Sequence, residues 1–258
     1  MGSAQVIAVA GWAPVLRAMS AACANLLLPI ACVACRRPVG READGIVCGT
    51  CWSRLATLAH PQCARCGHPR RGRRCGWCDA LPPFVRAVRS VCWVHRGSGM
   101  ALVHALKYDG WHRVGAGLGE RMARLAWPED VSAERQMVVP VPLAAARRRE
   151  RGYNQSALLA RVLAERWTVP AAESVLVRGR DTGSQTRLTP AQRMRNVAEA
   201  FRVPDEARRA LRGAHVVLVD DVVTTAATLV ACAAALHEGG ARIVSCVTFG
   251  RAPTTGDR

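Results

Sequence analysis

Two adjacent carboxylates, Asp220 and Asp221, follow a run of β-branched apolar residues late in the chain. Such a run is typical of a strand buried on both faces of a parallel sheet, and it predicts that the carboxylates lie where the strand ends. The segment 224–228, rich in hydroxyl and small residues, is predicted to open a helix that stops at Gly239. The pattern therefore places two acidic side chains beside a helix N-terminus.

This arrangement predicts a sugar phosphate site. Carboxylates accept hydrogen bonds from ribose hydroxyls, and the free amides of a helix N-terminus hold phosphate at the carboxyl edge of a parallel sheet. The alternative interpretation is an acidic capping turn after an ordinary core strand. The turn residues predicted to contact phosphate are Thr224, Thr225, Ala226, Ala227 and Thr228.

A cysteine-rich block near the N-terminus has the spacing of metal sites. Two Cys-x-x-Cys turns can supply a tetrahedral site of four thiolates, and four such turns follow one another here, so we predict one or two structural zinc ions. A disulfide framework is the alternative, and it would require an oxidising compartment. The predicted ligands are Cys32, Cys35, Cys48, Cys51, Cys63, Cys66, Cys75 and Cys78. The other cysteines are predicted to be core residues: Cys23, Cys92, Cys232 and Cys246.

A second group of polar residues follows a short apolar strand at about 137–143. Its prolines end the strand abruptly, and the basic residues beyond it could hold a pyrophosphate at the same sheet edge as the Asp pair. The single lysine, Lys107, ends a predicted helix over 97–108. It indicates either a need for a compact ammonium at this position or the chance survival of one lysine among many arginines. The arginine-bearing segment 178–197 has little apolar periodicity and is interpreted as a lid or as an exposed loop.

Alternating apolar runs and amphipathic segments predict the elements that position these residues. Strands are expected at the carboxylate run and at 85–95, 137–143, 174–177 and 241–249, with the segment 85–95 as an edge or half-exposed strand. Helices are expected at 97–108, 115–127, 154–167 and about 226–237. Strands that alternate with helices in this way predict an α/β fold with a parallel sheet.

The composition sets the broad class. The chain has 258 residues and a formal charge of +17, which favours polyanionic partners in general. The first 30 residues are predicted to form a packing helix, since no basic residue precedes the apolar run and no uninterrupted span of 18 apolar residues is present. The alternative is a weak contact of this helix with a membrane or a partner. We therefore expect a cytoplasmic protein without stable membrane insertion. The predicted organisation is a helix over 1–30, a double zinc ribbon over 31–80, an α/β domain over 84–252 and a disordered tail over 253–258.

Together these motifs resemble the ComF family of phosphoribosyltransferase-like proteins. The Asp-Asp-Thr-Thr loop resembles that of the type I phosphoribosyltransferases in general, with Ala226 where those enzymes usually have glycine. The features shared with the ComF family, in chain order, are the four Cys-x-x-Cys pairs, Lys107-Tyr108, Arg151-Gly152-Tyr153-Asn154-Gln155, Gln185-Thr186 with Arg193 and Asn196, and the Asp-Asp loop.

The resemblance implies a type I phosphoribosyltransferase fold with a phosphoribosyl pyrophosphate (PRPP) site and Mg²⁺. Asp220 and Asp221 would accept the ribose hydroxyls, and the 224–228 turn would anchor the 5-phosphate. The residues implied to contact the rest of PRPP are Lys107, Val141, Pro142, Leu143, Arg147 and Arg151. Those implied to form a lid are Gln185, Arg187, Arg193 and Asn196.

Two functions are compatible with the resemblance. The first is a PRPP-using transferase connected with single-stranded DNA uptake in natural competence, or with gluconate uptake. The second is a binding module that retains the fold but has little or no catalysis, and that contacts single-stranded DNA or a helicase partner. In the second interpretation the contact could be made by the ribbon arginines Arg70, Arg71, Arg73 and Arg74 beside Trp77. The alternative interpretation of these arginines is a solvated basic loop.

Overall fold

A computed structural model of the chain describes residues 30–39, 46–70, 75–108, 112–179 and 200–254. Several predictions lie outside these ranges: the helix over 1–30 except its last residue, the lid residues Gln185, Arg187, Arg193 and Asn196, the arginines at 71, 73 and 74, and the residues after 254.

The central element is a four-stranded sheet in which every pair is parallel, in the order β1-β6-β5-β2. This confirms the predicted α/β class. The strands are β1 (Val85–Trp93), β2 (Arg135–Pro140), β3 (Val177–Arg178), β4 (Phe201–Arg202), β5 (His215–Val223) and β6 (Ile243–Arg251). The short strands β3 and β4 pair antiparallel as a separate two-stranded sheet.

The α-helices of the described residues agree in order with the predicted pattern. They are α1 (Gly49–Ser53), α2 (Gly97–Tyr108), α3 (His112–Ala123), α4 (Glu129–Glu134), α5 (Ala145–Arg151), α6 (Gln155–Trp167), α7 (Asp205–Leu211) and α8 (Ala227–Glu238), and a 3-10 helix spans Gly76–Ala80. None of these helices combines the length and the apolar character that a bilayer crossing requires. The predicted bounds of α2, α6 and α8 hold to within a residue, whereas α3 begins and ends earlier than expected.

Strand β5 is longer than the sequence suggested, and the predicted strand end was wrong. The strand continues through both carboxylates to Val223. It does so because β6 pairs with it as far as the partners Val223 and Arg251, while β2 pairs with it only up to Val219. The Asp pair therefore lies in the stretch of β5 beyond the end of β2, where the β2 side of the strand is open to neighbouring loops.

The two faces of the sheet are covered by different elements. One face packs against α2, α3 and α6, and the first cysteine cluster joins this core through Cys32, Cys51 and Trp52. The opposite face packs against α8 and the β3–β4 pair, and the second cluster joins that core through Cys66. The cysteine-rich region thus contributes to the core on both faces of the sheet.

Strand β1 lies at the edge of the sheet, as predicted, but it is more buried than a half-exposed strand. The Val88 amide donates to the Arg65 carbonyl at 2.7 Å, and the Trp93 amide donates to the Ala56 carbonyl at 2.7 Å. Arg89 is only 9% exposed, and its Nη2 donates to the Ala64 carbonyl at 2.9 Å. The cysteine-rich region therefore covers an edge that would otherwise present unpaired backbone groups.

Candidate functional site

Asp220 is held by two donors at the open end of β5. The Ser156 hydroxyl donates to its Oδ1 at 2.9 Å, and the backbone N–H of Asp221 donates to the same oxygen at 2.9 Å. Burial, followed by the charge of the adjacent Asp221 carboxylate, raises the pKa of Asp220 to about 8. An acidic group with a raised pKa beside a second carboxylate is a feature of functional sites.

Asp221 forms an ion pair with Lys107 across a large sequence separation. The Lys107 ammonium at the end of α2 lies 2.6 Å from Asp221 Oδ2, and the Asp221 side chain is 6% exposed. Tyr153 helps to place the lysine, since its hydroxyl donates to the carbonyl of the preceding residue, Leu106. The structure thus brings the lone lysine to the Asp pair, where it partly balances the negative charge.

The turn after β5 leads directly into α8. Thr224 and Thr225 are exposed, and Ala226 is the N-cap residue with φ 63° and ψ −2°. This is the left-handed region, which costs an L-residue roughly 1–2 kcal/mol relative to glycine. The alanine therefore adopts a positive φ at a cost that glycine would avoid, and the helix N-terminus still faces the carboxyl edge of the sheet.

The conformation of Ala226 leads to a test by substitution. We expect Ala226→Val to lower the free energy of unfolding by about 2 kcal/mol or more, because a β-branched residue is disfavoured at positive φ. Ala226→Gly should change it by less than about 1 kcal/mol, since relief of strain offsets the loss of a buried methyl and the greater freedom of the unfolded chain. Urea unfolding measures both values. Ala227→Val, one residue into α8, is the matched control; an equal loss there would contradict this account of the turn.

The predicted pyrophosphate turn lies beside the Asp pair. The Val141 amide donates to the Val219 carbonyl at 2.9 Å, directly before the two carboxylates. Asn154 caps α6 through its Oδ1, which accepts from the Ser156 amide at 3.1 Å, and its Nδ2 donates to the Val141 carbonyl at 3.0 Å. Pro142 and Leu143 continue the turn and are partly exposed. The turns after β2 and β5 are therefore linked through the N-terminus of α6.

The two arginines predicted near the pyrophosphate occupy different positions. Arg151 lies over the ring of Tyr108, with 4.9 Å from its guanidinium carbon to the ring centroid, and its Nη2 donates to the Tyr108 hydroxyl at 3.4 Å. Arg147 is exposed on α5. The structure thus places Arg151 beside the residue that follows Lys107, whereas Arg147 extends toward solvent.

Three positioning residues were not among the predicted site residues: Tyr153, Asn154 and Ser156. Each follows Gly152, which ends α5 in the left-handed conformation with φ 76°. The sequence contained a local signal, because a glycine followed shortly by asparagine and serine is typical of one helix ending and another being capped. Their contacts to Leu106, Val141 and Asp220 are non-local and emerge only in the folded chain.

The eight predicted zinc ligands form two separate clusters of four. In each cluster all four sulfur atoms lie within 4.8 Å of one another, with Cys32, Cys35, Cys48 and Cys51 in one and Cys63, Cys66, Cys75 and Cys78 in the other. Cys63 and Cys78 sulfurs are 3.5 Å apart, and those of Cys66 and Cys75 are 3.3 Å apart. Sulfurs around tetrahedral zinc lie about 3.8 Å apart. The donor sets therefore fit two zinc sites of four thiolates each, in which zinc would supply structural cross-linking.

Three of the four remaining cysteines are core residues, as predicted. Cys92 and Cys232 have no exposed surface, and Cys246 is 1% exposed. Cys23 lies outside the described residues.

Two known protein families match parts of the chain. A double zinc ribbon domain matches residues 23–81, and a phosphoribosyl transferase domain matches residues 150–258. The fold and the two cysteine clusters therefore define a phosphoribosyltransferase-fold protein with a double zinc ribbon.

Sequence relatives narrow this class. The DNA utilization protein YhgH of Salmonella typhi is 35% identical over 230 residues, which cover 85% of this chain and 96% of that protein. YhgH of Escherichia coli strain K12 is 34% identical over 230 residues, with the same coverage. Competence protein F of Haemophilus influenzae is 27% identical over 210 residues, covering 77% of this chain and 86% of that protein. The chain belongs to the ComF family.

Among solved structures, glutamine PRPP amidotransferase from B. subtilis, complexed with ADP and GMP, aligns with a TM-score of 0.39 and 20% identity. The alignment covers 56% of this chain and 30% of that one. A likeness of this size bears on neither substrate nor mechanism.

Proposed function

We propose that this protein binds PRPP with Mg²⁺ at the carboxyl edge of its sheet and transfers the phosphoribosyl group to an acceptor, in cytoplasmic DNA utilisation. One observation carries the proposal: Asp220 and Asp221 lie beyond the end of β2, between the two turns that could receive the ends of a diphosphorylated sugar. Asp220 contacts Ser156 of α6, and Asp221 contacts Lys107 of α2. Ligands of α/β sheets bind in this position.

The Asp pair would act on the ribose. Both carboxylates can accept hydrogen bonds from the ribose hydroxyls and stabilise positive charge that develops at C1. The bond between C1 and the pyrophosphate oxygen breaks, and its electron pair leaves with pyrophosphate. The acceptor nucleophile forms the new bond to C1 and releases its proton. The contribution of the protein in this scheme is positioning and electrostatic stabilisation.

The two turns would hold the charged ends of the substrate. The turn 224–228 presents exposed threonine hydroxyls and the N-terminus of α8 to the 5-phosphate. The turn 141–143, together with Lys107, Arg147 and Arg151, would receive the pyrophosphate. Lys107 is then a resting counter-ion of Asp221, because a bound pyrophosphate offers its ammonium a second acceptor.

The residues at the site fit Mg²⁺. The ion takes oxygen ligands from one or two carboxylates together with substrate phosphates, and Asp220 and Asp221 provide two carboxylates with one lysine beside them. When bound with PRPP, Mg²⁺ would neutralise the leaving pyrophosphate. Burial, and after it the neighbouring Asp221 carboxylate, raises the pKa of Asp220, and a bound cation would favour the ionised form of both carboxylates.

A second candidate function is a binding module with weak catalysis. The strained alanine at the phosphate turn favours it, because glycine would adopt the same conformation at lower cost. The names of the relatives associate them with DNA utilisation and competence, which is consistent with a nucleic acid or helicase partner for this chain.

Calorimetry with PRPP and Mg²⁺ distinguishes the two. We expect the zinc-loaded protein to bind PRPP and the double variant Asp220→Ala/Asp221→Ala to bind about a hundredfold more weakly, since two charged hydrogen-bond acceptors are lost. The control is Asp205→Ala/Glu206→Ala, which removes two consecutive, exposed acidic residues at the start of α7. Circular dichroism verifies that each variant is folded. Absence of PRPP binding by the folded wild-type protein would contradict the transferase proposal.

A further inference from the structure

The two cysteine clusters differ in how far solvent reaches their sulfur atoms. All eight ligands lie in the described part of the chain, and Cys35 of the first cluster is the exposed one among them. Its neighbour Cys48 is partly exposed, whereas Cys32 and Cys51 are 0% and 5% exposed. In the second cluster Cys66 is fully buried and the other three ligands are partly buried. A small oxidant in solution therefore reaches a thiolate of the first cluster more readily than any thiolate of the second.

The exposed Cys35 has a partner thiolate and basic neighbours. The sulfur atoms of Cys35 and Cys48 are 3.7 Å apart, although the two residues belong to different Cys-x-x-Cys turns. Arg36 and Arg37 directly follow Cys35, and both are exposed. Reactive cysteines occur in partly exposed, electropositive surroundings, often beside a second cysteine with which they form a disulfide. The sulfurs of the second cluster are equally close together, so exposure and charge distinguish the two clusters.

The second cluster is enclosed by side chains of its own ribbon. The ring of His68 stacks on that of Trp77 with 6.1 Å between the centroids, and Trp77 packs with the cysteines of this cluster against the core. The Arg65 guanidinium donates hydrogen bonds to the backbone carbonyls of Leu81 and Pro82. The second cluster therefore has the character of a closed structural site.

We propose that the first cluster is a peroxide-sensitive site, in which oxidation of Cys35 and Cys48 to a disulfide releases one zinc ion while the second cluster keeps its ion. The Cys35 thiolate attacks one oxygen of hydrogen peroxide. The S–O bond forms, the O–O bond breaks, and hydroxide leaves with the electron pair, which gives a sulfenic acid. The Cys48 thiolate then attacks the Cys35 sulfur and displaces a second hydroxide.

The step balances and is reversible. The two thiolates lose two electrons, and the two oxygen atoms of the peroxide take them up. Cys32 and Cys51 alone then remain as thiolates, too few for a closed site of four. A dithiol reductant reopens the disulfide by exchange, after which the site can be filled again. Disulfides of cytosolic proteins are usually transient and redox-sensing, so a reversible response fits the proposed compartment.

The first cluster lies where loss of the ion would affect the sheet. Cys32, Cys51 and Trp52 share a core with α2, α3 and α6. The guanidinium carbon of Arg121 in α3 lies 3.4 Å from the centroid of the Trp52 ring. Oxidation would therefore loosen the ribbon on the sheet face that carries α2, while the second ribbon keeps its contacts to β1 and β6. The inference does not depend on PRPP binding.

Titration of the full, zinc-loaded chain with hydrogen peroxide tests the proposal. Native mass spectrometry counts the zinc ions, and peptide mapping without reduction locates the disulfide. We expect one of the two ions to be lost about tenfold faster than the other, with a disulfide between Cys35 and Cys48. Treatment with a dithiol reductant and zinc should restore two ions. Hydrogen exchange of the segment 46–56 should rise in the oxidised protein.

Substitution of the exposed ligand separates its reactivity from its role in binding. Cys35→His supplies an imidazole, which also binds tetrahedral zinc, so the variant should hold two ions and lose the first about tenfold more slowly than the wild-type protein. The matched control is Cys75→His, the same exchange in the second cluster, which should leave the first cluster as reactive as before.

A second variant leaves all eight ligands in place. Arg36→Gly/Arg37→Ala removes the two charges beside Cys35, and Arg36 has a φ of 62°, which glycine adopts without cost. The first zinc ion should then be lost about threefold more slowly, because the basic surroundings that favour the thiolate are gone. This variant decides the question if Cys35→His does not hold two ions.

Four results would overturn the proposal. Both ions leave at the same rate; the disulfide joins cysteines other than Cys35 and Cys48; Cys35→His holds two ions and loses the first as fast as the wild-type protein; or peroxide oxidises the exposed Met100 to its sulfoxide while both zinc ions stay bound. None of these measurements contains PRPP, so failure of the wild-type protein to bind PRPP would contradict the transferase function and leave the test of the first cluster unaffected.

Discussion

Replacing Cys66 with serine is expected to remove one of two zinc ions and to lower the unfolding temperature by about 10 °C or more. Cys66 belongs to the second cysteine cluster and has no exposed surface. The effect should extend beyond the ribbon, because the Cys66 carbonyl accepts a 2.7 Å hydrogen bond from Nη2 of Arg251 at the end of β6. Arg251 is fully buried and also lies over the Trp77 ring, 4.6 Å from its centroid.

Arg65, which precedes Cys66, shows why the sheet depends on the second cysteine cluster. The Arg65 carbonyl accepts from the Val88 amide of β1, and the Arg65 guanidinium donates to the Leu81 carbonyl at 2.9 Å and the Pro82 carbonyl at 2.6 Å. Loss of zinc would release this turn and expose the edge of β1. Because structural zinc contributes on the order of 10 kcal/mol to small zinc domains, the loss should dominate other single substitutions.

Native mass spectrometry counts the zinc ions, and a thermal unfolding scan measures the stability. The control is Cys246→Ser, which makes the same chemical change at a buried cysteine outside both clusters. It should retain two zinc ions and lose less stability. A Cys66→Ser protein with two zinc ions and a wild-type unfolding temperature would contradict the structural role of the second cluster.

Asp220→Asn is expected to stabilise the folded protein while it weakens PRPP binding. The amide can keep the hydrogen bonds from Ser156 and the Asp221 backbone, but it removes a carboxylate that burial and the Asp221 charge disfavour. At pH 8 to 9 the gain should be roughly 2 kcal/mol, after allowance for solvent and for the Lys107 charge. Stabilisation with loss of binding is typical of residues retained for function.

The pH dependence of the folding stability follows from the direction in which the pKa of Asp220 is shifted. The pKa of Asp220 is raised from its ordinary value of 3.8 to about 8, so between these values the folded chain holds a proton that the unfolded chain has released. The contribution of Asp220 to stability is complete below pH 4 and is lost as the pH rises through 8. Urea unfolding between pH 6.5 and 9, with zinc retained, should show wild-type stability falling more steeply than that of Asp220→Asn. The control is Asp205→Asn at an exposed aspartate; parallel curves for wild type and Asp220→Asn would contradict the assignment.

The metal clusters and the sheet class could be predicted from the sequence because their determinants are local. A Cys-x-x-Cys turn brings two sulfurs together regardless of the rest of the fold, and the four turns occur in the order that gives two neighbouring clusters. Apolar periodicity gave the bounds of α2 (Gly97–Tyr108) and α6 (Gln155–Trp167), since side chains of a helix repeat every 3.6 residues.

The interior arginines show where sequence patterns mislead. Arg89 and Arg251 are 9% and 0% exposed, although a charged residue in a strand normally indicates a solvated position. Both donate to backbone carbonyls of the second zinc ribbon, at Ala64 and Cys66 respectively. Only the docking of the ribbon on β1 supplies these acceptors, and hydrogen bonding to them offsets the cost of burying the charge.

The sequence alone identifies the functional groups of the predicted sites: eight cysteines in metal-binding turns, a carboxylate pair followed by a hydroxyl-rich turn, and a single lysine. The tertiary structure alone decided how these parts meet. Lys107 reaches Asp221, Ser156 reaches Asp220 across 64 residues, and β5 continues past the point where β2 ends. The physical reason is that such contacts depend on the register of a parallel sheet and on the helices packed against it, and these form only when residues distant in sequence are buried together.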